Sequence, residues 1–286
     1  VELFRALGAL SETPHPELQE VADLLELGPL PTRAAHGDLF LFQLYPYASV
    51  YLGAEGMMGG EAGDRIAGFW RALGQTPPPE PDHLALMLGL HARLGDLVSE
   101  AADGPARDRW RHARGAFLWE HLLSWLPVFL GKLAQLEGVA DPFYLRWAAL
   151  LRDALREEAE ALGQPARLPL HLREAPDLAD PRRDGPRAFL ASLLSPVRSG
   201  VVLVRADLAR AARDLGLGLR PGERRVVLEA LLDQDAAAAL AWLSMEATAW
   251  AGRHRPEAHF AAELAAFWQR RAEATARLVS ELRADL

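Results

Sequence analysis

PPPEPDHLALMLGLHARL, residues 77–94, sets a proline-rich loop directly against a long apolar run at helical spacing. Each proline fixes its own φ and pushes the residue before it toward extended backbone, so 77–81 reads as a stiff loop. Asp82 stands where an N-cap belongs, and a helix is expected from about His83 to Ala101. The apolar positions recur at i, i+3 and i+4, the spacing of one helix face. A rigid loop that delivers an acid and an imidazole to a helix start reads either as a capped helix or as a site.

Outward from this stretch the same pattern repeats. HPELQEVADLLELG (15–28) is a short helix stopped by glycine, and HGDLFLFQLYPYASVYLGAEG (36–56) is apolar, aromatic and broken at Pro46. GEAGDRIAGFWRALG (60–74) predicts a further helix. Gly104 and Pro105 end the 83–101 region. ARDRWRHARGAFLWEHLLSWLPVFLGKLAQLEG (106–138) is helical with Pro127 inside it, which either kinks the helix or ends it near Trp125 and starts another. Asp141 and Pro142 open a helix that Gly163 closes. Residues 164–186 have no period and are rich in Pro, Asp and Arg, the composition of a linker or surface loop. Beyond them the spacing predicts helices in PRAFLASLL, VVLVRADLARAARDLG and GERRVVLEALLDQD, then a long pair ending in PEAHFAAELAAFWQRRAEATARLVSEL (256–282). VVLV (201–204) has strand propensity but is read as a helix start. The expectation is an all-α protein with a helical section over 1–163, a linker over 164–186 and a second helical section over 187–286.

Composition narrows the function classes. The chain has 286 residues, 50% of them hydrophobic and 24% charged, with no cysteine. Thiolate catalysis, disulfides and cysteine-based zinc sites are excluded. The net charge of −8 suits a cationic partner better than nucleic acid. No transmembrane run is present, and VELFRALGALSETPHPEL has no basic leader or small-residue cleavage site, so a cytoplasmic location is expected. His83 and His91 lie two turns apart and Glu120 and His121 point in different directions, so no metal site is expected. No nucleophile elbow or phosphate loop occurs, so neither an enzyme nor a bound cofactor is expected. GMMGGEAGDR (56–65) could hold an anion at a helix start, although an ordinary connection is the simpler reading. Residues 206–232 look like a helix-turn-helix, which makes a DNA-binding regulator the alternative, but their charges nearly balance and an acid opens the second helix.

LYPYASVYLG (44–53), EPDHLALMLGLHARL (80–94), FLWEHLLSWLPVFLGKL (117–133) and DPFYLRWAALLRDAL (141–155), taken in order, resemble the TorD/DmsD/NarJ family of redox-enzyme maturation chaperones. The family's H-L-x-x-W-x-P-x-F helix is matched by His121, Leu122, Trp125, Pro127 and Phe129. Its E-P-x-D-H loop is matched by Glu80, Pro81, Asp82 and His83 without the spacer, which puts the role of Glu80 most in doubt. The resemblance covers about residues 36–162 and implies a TorD-like helical bundle followed by a helical C-terminal extension. It also implies a cytoplasmic chaperone that binds the twin-arginine signal peptide of a molybdoenzyme catalytic subunit, or its apo form, and assists cofactor insertion. The residues expected at the peptide are Pro81, Asp82, His83 and Glu80, with Tyr47, Tyr51, His121 and Trp125 as neighbours; Trp125 reads equally well as a core anchor. His83 beside a carboxylate would titrate near neutral pH. Two internal arginine pairs, at 182–183 and 224–225, precede apolar residues and could mimic a leader at rest.

Overall fold

The computed structural model describes residues 1–136, 138–255 and 258–286, and every regular element among them is a helix. The described residues form two compact units, one of Val1–Ser49 with Met58–His171, the other of Val50–Met57 with Leu172–Leu286.

The first unit contains α1 (Glu2–Ala9), α2 (Gln19–Leu24), α3 (Arg33–Phe40), the start of α4 (Ala48–Leu52), α5 (Gly60–Ala72), α6 (Leu84–Glu100), α7 (Gly104–Phe117), α8 (Leu126–Ala134) and α9 (Pro142–Leu162). Side-chain caps set several starts: Thr32 for α3, Asp103 for α7 and Asp141 for α9 each accept from a first-turn N–H. Between α7 and α8 the chain makes a π-helical turn, Leu118–Leu122, so the break takes the second of the two forms expected, with Pro127 in the first turn of the new helix. α6 packs between α1 and α7, and α9 packs on α1, α7 and α8. Their shared core buries Phe40, Phe117, Phe129, Phe143, Tyr144, Trp125 and Trp147 completely or nearly so. Each such side chain contributes roughly 1.5–3 kcal/mol relative to exposure. Polar edges inside this core are tied off: the Trp147 indole donates to Leu7 O at 2.9 Å, and Arg114 Nε meets Glu158 at 2.9 Å between α7 and α9.

The second unit contains α11 (Pro181–Asp184), α12 (Pro186–Leu193), α13 (Pro196–Ser199), α14 (Arg205–Leu215), α15 (Arg224–Gln234), α16 (Ala236–Arg253) and α17 (Ala258–Ala284), while α10 (Leu170–Arg173) spans the unit boundary. α17 packs along α16 and receives α13 at Gly200. Residues 164–186 are not a bare linker: they carry α10 and α11, and Leu172 and Ala179 within them are buried. VVLV is corrected: 201–204 are non-helical and almost fully buried, and the helix starts at Arg205. The reason is Asp207, whose carboxylate accepts the Val204 N–H at 2.8 Å and so fixes the N-terminus there. The expected start of the last helix at 256–257 lies outside the described residues.

Candidate functional site

The proline loop folds back on the segment before α4. Ala48 N–H donates to Asp82 O at 3.1 Å and Leu84 N–H to Pro46 O at 2.9 Å, which makes an isolated antiparallel bridge between Tyr47 and His83. Asp82 is therefore not the N-cap of α6. It is 4% exposed, and one oxygen accepts both the Ser49 N–H, at 3.1 Å, and the Ser49 hydroxyl. The same hydroxyl oxygen accepts the Gly59 N–H at 2.9 Å, which anchors the glycine loop before α5. A buried carboxylate is costly unless hydrogen-bonded, and Ser49 meets that need. The cap role passes to His83, whose Nδ1 accepts from Ala85 N–H at 3.3 Å.

Around this anchor lies a groove of about 520 Å³. Pro77 to Asp82 form one wall, the α5 face of Gly60, Gly63, Asp64, Ala67 and Arg71 forms the other, and Tyr47, Met58 and Gly59 complete it. Tyr47 donates its hydroxyl to Glu80 at 3.0 Å and meets the His83 ring edge-on at 4.9 Å. Burial, the bond to Glu80 and the nearby charges of Glu80 and Asp82 push the Tyr47 phenol up to about 12, so it remains a donor at neutral pH. His83 departs from expectation. Burial lowers its pKa, and this outweighs the carboxylates of Glu12, Glu80 and Asp82, which pull the other way; the ring is neutral at pH 7 and acts as an acceptor for the helix start.

Of the residues expected at the peptide, Glu80, Pro81, Asp82 and Tyr47 line this groove, and His83 packs against Tyr47. The others do not. Trp125 is completely buried, with its indole donating to His121 O at 2.9 Å, and stands as a core anchor. Tyr51 is 1% exposed within the second unit, on the segment Val50–Met57. His121 sits against Phe69, Phe117 and His171, and burial, aided by His171 and Arg65, lowers its pKa to about 3. Sequence reasoning took 56–65 as an ordinary connection or an anion site at a helix start and missed α5 as an acidic wall of the groove. The only signal was the spacing of Gly60, Asp64, Ala67 and Arg71 along one helix face.

Arg182 and Arg183 of the first arginine pair, and Arg224 of the second, are engaged locally. Arg182 is held by Asp180, Glu281 and Asp285, and Arg224 donates to Leu203 O at 2.8 Å. In the helix-turn-helix-like segment, Arg210 pairs with Asp207, Asp214 and Glu246 and stacks over Trp242, so its charge is neutralised. Among the described residues no helix is long and apolar enough to cross a membrane, and no cluster of three or more metal-ligating side chains occurs.

Residues 6–131 match the family described as nitrate reductase delta subunit. Curated relatives include two proteins named Chaperone protein TorD. That of Vibrio vulnificus (strain CMCP6) is 31% identical over 137 residues, 46% of this chain and 59% of the relative. That of Vibrio cholerae serotype O1 (strain ATCC 39541 / Classical Ogawa 395 / O395) is 27% identical over 144 residues, 48% of this chain and 60% of the relative. The chain thus spans about six-tenths of these relatives' length. No solved structure matches.

Proposed function

We propose, from the similarity of residues 6–131 to the nitrate reductase delta subunit family, that the chain is a maturation chaperone for a molybdopterin-dependent oxidoreductase. In this reading it is a non-enzymatic cytoplasmic protein. It binds the twin-arginine leader of the catalytic subunit, or the apo subunit itself, and holds it until the cofactor is inserted. It needs no cofactor of its own.

The observation that carries the reading is the groove at the proline loop. A leader offers guanidinium groups beside an apolar stretch. The groove offers three carboxylates, Asp64, Glu80 and Asp82, against a single cation, Arg71, beside the apolar surfaces of four prolines, Ala67 and Met58. Charge-assisted bonds from guanidinium to carboxylate are the strong class of hydrogen bond. A loop stiffened by proline and pinned by the Tyr47–His83 bridge loses little entropy on binding. The acid excess also argues against an anion at the α5 start. Nothing in the geometry of 206–232 favours the DNA reading.

Calorimetry with a synthetic leader from a neighbouring molybdoenzyme gene tests the proposal. Micromolar or tighter binding is expected, weakened in Asp82→Ala and His83→Ala proteins whose helical circular dichroism is intact. Binding that survives both changes would move the site elsewhere, and no binding to any such leader would remove leader recognition from the function.

A further inference from the structure

The groove's carboxylates are not equivalent, and the difference assigns a role that the proline loop alone does not; the assignment rests on the groove being the leader site. Asp82 forms the back of the groove. Its accepting oxygen is taken by the Ser49 N–H and hydroxyl, and its own carbonyl by Ala48 N–H. Its other oxygen lies beside Gly63 at the floor of the groove, in a carboxylate that is only 4% exposed, so a guanidinium meets it only by giving up most of its water, while the Ser49 bonds hold the group in place. Glu80, at the rim, already accepts the Tyr47 hydroxyl.

Asp64 is different. It is exposed on α5, lines the groove, and has no hydrogen bond or ion pair among the described residues. Its helix neighbours on the groove face leave room for a ligand backbone. A Cβ added at Gly60 would meet nothing within 4 Å, and one at Gly63 would reach only the Asp82 carboxylate, at 3.8 Å. An extended segment can therefore lie close against α5 and bring a guanidinium beside Asp64 without breaking an existing bond. We propose that Asp64 is the residue that selects an arginine-bearing segment in this groove, and that Asp82 is a positioning residue that holds Ser49 and the glycine loop in place.

The test uses the full chain and two peptides measured by calorimetry. One carries Arg-Arg followed by apolar residues; the other is the same peptide with citrulline, which is neutral and nearly isosteric, at both arginine positions. The unaltered protein is expected to prefer the arginine peptide by about tenfold, the scale of one charged hydrogen bond. Asp64→Asn should remove that preference and leave citrulline-peptide affinity unchanged. Asp82→Asn should weaken both peptides in the same proportion, and Ser49→Ala, which loosens the same back wall more gently, should do so too if Asp82→Asn fails to fold. Retention of the preference in Asp64→Asn overturns the assignment. Equal binding of the two peptides by the unaltered protein overturns it as well while leaving a peptide site, and binding of neither overturns the leader reading itself.

Discussion

Asp82 and His83 exchange the roles that their order along the chain suggests. By position Asp82 is the cap, but a carboxylate that can reach a serine N–H and hydroxyl 33 residues away gains two bonds where a cap gains one. His83 then takes the helix start, and its burial keeps it neutral. Sequence shows the loop, because proline acts locally, and hides the partner, because Ser49 is set by tertiary contact. The buried histidines carry a pH prediction. Burial, aided by His171 and Arg65, lowers the His121 pKa from the ordinary 6.5 to about 3 in the folded protein. Above pH 6.5 the ring is neutral in both states and adds no pH dependence. As pH falls from about 6.5 toward about 3, the unfolded chain takes up a proton that the folded one refuses, and stability drops by on the order of 3 kcal/mol by pH 4. Urea unfolding of His121→Phe, whose ring fits among Phe69 and Phe117, should show that much less loss between pH 7 and pH 4. An unchanged slope would rule this ring out as the acid-sensitive group.

Helices whose boundary signals are local match their sequence limits closely. α9 is capped by Asp141, opened by Pro142 and closed by Gly163 at φ 77°, all readable from identity alone. Elements fixed by distant partners do not. The π turn at Leu118–Leu122 leaves no mark in the sequence, yet Glu120 on it accepts the Leu170 N–H at 2.7 Å and Trp119 donates to Gly163 O at 2.7 Å, so the chain after α9 is tied down where a linker was expected. VVLV is buried on all four residues, a pattern that periodicity cannot separate from a helix. The turn after α13 shows how closely elements pack in the second unit. Gly200 has φ 70°, donates its N–H to Pro196 O at 2.7 Å and accepts from His254, and a Cβ there would overlap the Ala272 amide of α17. Gly200→Ala combines a left-handed penalty with overpacking, so a loss of at least ~2 kcal/mol is expected in thermal or urea unfolding. A loss below half of that would mean that α13 and α17 can separate without cost.

At the scale of the whole molecule, contiguity in sequence and contiguity in space part company at Val50–Met57. This segment leaves the first unit just after Ser49, an anchor of the groove, and returns at Met58, which lines it. Within the second unit it is held firmly: the Ser195 hydroxyl donates to Gly53 O at 2.9 Å, Gly56 at φ 62° lies so close to Leu194 and Ser195 that a Cβ would clash, and Tyr51 and Leu52 are buried. No sequence signal marks this, because the apolar run in 44–53 reads as core whichever unit it joins. A cut in the tail of α9 or the stretch after it, the natural choice from composition, would therefore remove the environment of Tyr51 while leaving Tyr51 in the chain. A truncated chain ending at His171 is expected to expose that ring and its neighbours, to be less stable by several kcal/mol on the scale of ~1.5–3 kcal/mol per uncovered large side chain, and to bind a hydrophobic dye that the full chain does not. Polar replacement of the stranded segment, Tyr51→Ser with Leu52→Ser, should lower dye binding in the truncated chain and destabilise the full one. Equal stability of the truncated and full chains in urea would show instead that the first unit closes over the segment by itself, and that the division of labour between the units follows the order of the sequence after all.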